Sequence, residues 1–138
     1  MRRFLMAVSL VASPIAALAQ DGDLDEAAEQ AREACFAHNA AALVAHSPSL
    51  LVQLPGAEPS VALAPEQAAA LLADFLAPGQ EVETLVRAAR EVGPDRGYVE
   101  LQRKYRIAGT QNVRIQVLLL SYRRIEGVWT LVEFRVVG

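Results

Sequence analysis

The sequence predicts an α+β domain in which N-terminal helices pack on a curved antiparallel sheet. Apolar residues recur at helical spacing in two stretches before residue 80. After residue 80 the pattern alternates with period two, and three glycine-containing turn signals divide it into four strands. Helices first and a meander after them is the order of an α+β domain with its helices on one face of the sheet.

The first residues predict export. Met1-Arg2-Arg3 is basic, Phe4 to Ala19 is uncharged and largely apolar, and Ala17-Leu18-Ala19 offers a signal-peptidase site. The apolar run is short of the roughly 20 residues that a membrane-spanning helix needs, and Pro14 interrupts it. Residues 1–19 are therefore expected to be a signal peptide, and residues 20–138 a single domain, periplasmic or extracellular, with no membrane attachment after cleavage.

Asp21-Gly22-Asp23 provides capping side chains for a helix starting near Leu24, with Leu24, Ala28, Ala31 and Cys35 as its buried stripe. Cys35, the only cysteine, reads as a small hydrophobe with no internal disulfide partner. A shorter helical piece covers Ala40 to Ala45, and Ser47-Pro48 ends it. Leu50 to Leu54 reads as a strand, Pro55-Gly56 as a turn, and Val61 to Leu63 as the return of a small hairpin. Pro65 opens the next helix, whose stripe is Ala68, Leu71, Leu72 and Phe75, and Pro78-Gly79 stops it.

Four strands follow at about 81–91, 97–107, 112–125 and 128–137, joined at Gly93-Pro94-Asp95, Gly109-Thr110 and Glu126-Gly127. A two-residue turn at Glu126-Gly127 pairs Val117 with Val136, Leu119 with Phe134 and Ser121 with Val132. That face is expected to meet the helices, with Arg123 and Thr130 nearer its tip. Leu118, Leu120, Tyr122, Trp129 and Leu131 then fall on the outer face with Arg124, Glu133 and Arg135. So many apolar side chains outside predict an interaction surface, and a homodimer across it. Val82, Thr84, Val86, Ala88, Val99, Leu101, Arg103, Tyr105 and Ile107 are expected inside. The register across Gly109-Thr110 stays open, because a two-residue turn there opposes odd and even positions; a bulge or a longer loop would resolve it.

Charge is divided along the chain. Residues 20–86 carry a balance of −10 and residues 87–138 one of +5. Either the two halves neutralise each other on packing, or a basic sheet face meets an anionic partner. A nucleic-acid partner is not expected, since no interleaved aromatic and basic motif is present.

The helix through Phe36-Ala37-His38-Asn39, the strand and turn Val52-Gln53-Leu54-Pro55-Gly56, the helix from Pro65-Glu66-Gln67 to Leu76, and the hairpin from Val113-Arg114-Ile115 to Arg135 carry a resemblance. In layout and spacing they resemble the nuclear transport factor 2-like (cystatin-like cone) superfamily, shared with ketosteroid isomerases. Within it the chain is most similar to a small group of secreted bacterial proteins of unknown function. The resemblance spans residues 20–138 without a diagnostic motif. It implies a sheet wrapped around a helix, a pocket at the open end, and dimerisation through the sheet. It licenses no activity by itself.

Enzymes of that superfamily usually hold a carboxylate or histidine base inside the cone. Strand parity here sends Glu81, Glu83, Glu91, Glu100 and Glu133 outward, which leaves no inward carboxylate and favours a non-catalytic binding or assembly module. The polar groups expected inside are His38, Arg103, Tyr105, Ser121, Arg123 and Thr130. His38 reads first as a helix-end residue bonded to backbone carbonyls, and the arginines as rim residues covering apolar surface with their stems. Together these groups would suit a small anionic or apolar ligand. The alternative is a pocket enzyme of the isomerase or hydrolase type, with His38 as base and Tyr105 or Arg103 stabilising charge. No metal-spaced cluster, phosphate loop or nucleophile elbow is present, so no cofactor or metal is expected.

Overall fold

The computed structural model describes residues 23–138. Its elements are α1 (Leu24–Phe36), α2 (Ala40–Leu43), β1 (Leu51–Gln53), α3 (Pro65–Leu76), β2 (Gly79–Glu91), β3 (Arg96–Ile107), β4 (Val113–Ile125) and β5 (Val128–Val137). The predicted signal peptide and its cleavage site lie outside the described residues.

Asp23 starts α1 by accepting a 2.9 Å hydrogen bond from the Glu26 backbone N–H. The helix buries Leu24, Ala28, Ala31, Ala34 and Cys35, the expected stripe with one addition. It ends where His38 takes a left-handed φ of 58°, and Asn39 donates its backbone N–H to Ala34 at 2.8 Å. Asn39 then caps α2 by accepting from Ala42. The small hairpin is present as a single bridge between Leu50 and Leu63. Pro65 opens α3 in its first turn, and the Gln67 side chain accepts the Ala64 N–H at 3.1 Å.

One five-stranded sheet has the order β1-β5-β4-β3-β2, parallel only between β1 and β5. The helices and one sheet face enclose a core that includes Cys35, Leu72, Val99, Leu101, Leu118, Leu120 and Phe134.

The face assignment of the closing hairpin is reversed from the sequence expectation. The two-residue turn holds near the tip, where Ile125 pairs with Val128 and Tyr122 with Leu131. A bulge at Val132 then shifts the register, so Ser121 pairs with Glu133, Leu119 with Arg135 and Val117 with Val137. Before the bulge the odd residues of β5, Trp129 and Leu131, face inward; after it the even ones, Phe134 and Val136, do. Assuming one parity along β5 placed Phe134 and Val136 inside and forced their true neighbours outside. Leu118, Leu120, Tyr122, Trp129 and Leu131, expected on an outward interface, are all buried core residues.

The same correction closes the open register at Gly109-Thr110. Residues 108–112 form the connection, and β3 odd positions do oppose β4 even ones: Val99 faces Leu120 and Leu101 faces Leu118. Both members of each pair are buried.

In β2 a bulge at Val82 turns both Glu81 and Thr84 inward, and a second at Arg87 resets the parity again. Thr84 is buried as expected, whereas Val82 and Val86 are exposed. Ala88 pairs with Glu100 on the outer face, and Ala89 replaces it against the core.

Candidate functional site

Three of the predicted polar residues converge, through a carboxylate that parity had placed outside. Arg103 lies on the inner face of β3 and is 1% exposed. Glu81, turned in by the bulge at Val82, receives Arg103 Nε at 2.9 Å on Oε1 and at 3.0 Å on Oε2, and Arg103 Nη2 on Oε2. Only 3% of the Glu81 side chain is exposed. Arg103 also donates to Gln116 Oε1 at 3.1 Å and to the Leu76 carbonyl at 3.2 Å. Its guanidinium lies 4.1 Å from the Tyr105 ring centroid and 5.3 Å from that of Phe75.

His38 closes the chain. Its Nε2 is 2.8 Å from Glu81 Oε2, and the side chain is 30% exposed. It therefore bonds a buried carboxylate rather than backbone carbonyls, as the sequence had suggested. The left-handed turn after α1 carries the ring over to the start of β2. Gly79 is required beside them: a Cβ there would stand 2.5 Å from Arg103 Nη2 and 2.9 Å from Tyr105 Cδ2. Arg103 is thus not a rim residue. It joins the basic second half of the chain to the acidic first half.

The other predicted site residues lie elsewhere. Ser121 and Arg123 are on the outer face, Ser121 3.5 Å from Glu133 and Arg123 3.8 Å from Asp95. Thr130 is buried near the hairpin tip, donating to the Val128 carbonyl at 3.1 Å. Glu81, Gln116 and Gly79 were not foreseen. One signal for Glu81 existed: an arginine on a core parity calls for a buried carboxylate, and Glu81 lies near the start of the adjacent strand.

Cys35 sits behind this cluster, fully buried, and burial pushes its thiol up to about 12. The Arg103 charge pulls the other way and Glu81 reinforces the rise. A thiol held protonated is not a nucleophile. Among the described residues no three His, Cys, Asp or Glu side chains gather as metal ligands.

This arrangement of helices on a five-stranded sheet is similar to that of solved structures. A ketosteroid isomerase-like protein from Erwinia carotovora atroseptica superposes with a TM-score of 0.66 at 14% identity, over 82% of this chain and 91% of that one. A DUF4783 family protein from Bacteroides uniformis gives 0.63 at 13% identity, over 78% and 93%. A protein of the NTF2-like family from Streptomyces avermitilis gives 0.60 at 15% identity, over 90% and 96%. The chain has the nuclear transport factor 2-like fold. No protein-family model and no curated protein matches the sequence. At these identities the likeness concerns the nuclear transport factor 2-like cone alone, so function has to be argued from this chain's own side chains. In this cone the inward Arg103–Glu81 pair is sealed by Leu76, Tyr105, Phe75 and Gln116.

Proposed function

We propose that this chain is an exported, non-catalytic binding or assembly module that pairs with a second copy through the outer face of its sheet. The observation that carries the reading is the commitment of the inner ion pair, Arg103 with Glu81. Arg103 donates to Glu81, Gln116 and the Leu76 carbonyl, and Glu81 engages Arg103 and His38. A buried pair so occupied has few donors and acceptors left to offer a substrate.

The outer face supports self-pairing. Leu85, Gln102, Val117 and Val137 form one row across four strands, and Ile115 beside Lys104 extends it. Ile115 is 53% exposed, and Tyr98, Val113 and Val137 are similarly open. Glu100 and Glu133 alternate with Arg90 and Arg135 around a groove of about 470 Å³ on this face. Both signs are present, so two copies can match apolar rows and opposite charges at once. Export rests on the basic start, apolar run and Ala17-Leu18-Ala19 site. Light scattering on the purified protein tests the pairing: a dimer at micromolar concentration supports it, and a monomer there removes it.

A second reading has one observation in its favour. Glu81 holds His38 through Nε2, and a histidine oriented by a buried carboxylate is a general-base arrangement. Deuterium exchange next to the carbonyl of a panel of small ketones, followed by NMR in D2O, separates the readings. Exchange that His38→Ala abolishes supports catalysis; exchange no faster than in buffer supports the non-catalytic module.

A further inference from the structure

The outer face of the sheet carries its charges in an order that decides how a second copy can lie on it. Three neighbouring rows cross β3 and β4: Lys104 beside Ile115, Gln102 beside Val117, and Glu100 beside Leu119. The middle row continues into Leu85 on β2 and Val137 on β5. The cation and the anion therefore stand on one strand, on either side of an uncharged row. Among the described residues neither forms an ion pair within its own chain, although Glu83 is the β2 neighbour of Lys104.

Shape is divided in the same way. At the Lys104 end, where β4 begins, Ile115 and Val113 project into solvent, 53% and 49% exposed. At the Glu100 end lies the groove of about 470 Å³, whose lining includes Tyr98, Glu100, Leu119 and Ser121. One end of the face offers apolar knobs and a cation; the other offers a hollow and an anion.

We propose that the second copy lies antiparallel on this face, with the twofold axis crossing the strands at Gln102 and Val117, and that the partner's Lys104 and Ile115 occupy the groove. The arrangement rests on the self-pairing proposed above and adds its orientation and the occupant of the groove. Two sheets packed face to face stand about 10 Å apart with their side chains interleaved. A half-turn about the middle row then sets Lys104 on the partner's Glu100 and Ile115 on the partner's Leu119, and symmetry repeats both contacts. Val117, Leu85 and Val137 each meet their own copy, so the axis itself is apolar. One row further out, Arg106 reaches the exposed ring of the partner's Tyr98. An axis running along the strands between β3 and β4 does the opposite. It sets Glu100 on the partner's Leu119 and Lys104 on the partner's Ile115, which buries both charges unpaired.

Charge exchange separates the two orientations. Sedimentation velocity gives the dimer dissociation constant of Lys104→Glu, of Glu100→Lys and of the protein carrying both changes. Each single change should weaken the dimer at least about tenfold, because it creates like-charge contacts at two places. The double change should return the constant to within about threefold of the unaltered protein. Circular dichroism confirms that each variant is folded. Cross-linking reads the same geometry without altering charge. Ile115→Cys and Leu119→Cys proteins are prepared separately and treated with a short bismaleimide, alone and mixed; Cys35 is buried and silent. The mixture should cross-link and each protein alone should not, since copies of residue 115 stand about 13 Å apart along the strands in this orientation. A double charge change that fails to restore the dimer, or Ile115→Cys protein that cross-links alone as readily as in the mixture, overturns the orientation and leaves self-pairing standing. A monomeric unaltered protein removes both.

Discussion

Glu81 and Arg103 meet as a forked ion pair across neighbouring strands, both side chains nearly closed off from solvent. The bulge at Val82 makes this possible, because regular pleating would put Glu81 on the opposite face. Removing one partner leaves a buried charge uncompensated. Glu81→Ala or Arg103→Ala should each lower stability by about 3–5 kcal/mol, whereas the double change Glu81→Leu with Arg103→Met should cost much less than the two together. Urea unfolding of the three variants measures this. Additive losses would mean that the pair contributes nothing as a pair.

Gly79 tests the packing around the same pair. A methyl group there meets the Arg103 guanidinium and the Tyr105 ring inside van der Waals contact. Gly79→Ala should destabilise by about 1–3 kcal/mol, as overpacking of a filled site does. The thermal midpoint reports it, and Gly56→Ala is not an equivalent control, since Gly56 has a positive φ of 74°. Ala73→Gly, on an exposed position of α3, gives the reference cost of about 1 kcal/mol for an ordinary helix substitution.

The helices, the four-strand meander and its turns could be read from residue patterns, because capping at Asp23, proline at Pro65 and period-two alternation are local signals; the parallel pairing of β1 with β5 could not, since it joins segments about 80 residues apart. The candidate site could not, because three bulges at Val82, Arg87 and Val132 each flip the side-chain parity that sequence alternation assumes. Arg103 and Tyr105 lie on the inner face because β3 has no bulge and its odd residues keep one face, and the left-handed turn after α1 brings His38 to Glu81 beside them. Glu81 was missed because it lies on the far side of a bulge. Ser121 and Arg123 were misplaced with the whole of β4, whose inner face is decided by Trp129 and Leu131 ahead of the bulge in β5.

The corrected faces give opposite consequences for neighbouring positions on β4. Ile115→Asp, on the outer face, should dissociate the proposed dimer and shift monomer stability by only about 0.5 kcal/mol. Leu120→Asp, fully buried beside Phe134, should unfold the protein by placing an unpaired charge in the core. Light scattering and circular dichroism on the two variants check this together. A folded Leu120→Asp protein would contradict the register drawn here.

Cys35 makes stability depend on alkaline pH with a definite sign. Burial raises its thiol from an ordinary value of 9.0 to about 12. Below about pH 9 the thiol is protonated whether the chain is folded or not, so it adds no pH dependence. Between about 9 and about 12 the unfolded chain has released the proton while the folded chain still holds it, so stability falls as pH rises. The Tyr122 phenol, also raised by burial, acts with the same sign. Cys35→Ser with Tyr122→Phe should flatten the stability profile in that window. An iodoacetamide reaction at pH 8 measures the same protection directly: the native thiol should react only at the rate of unfolding, and prompt labelling of folded protein would show that Cys35 is not enclosed by α1 and the sheet.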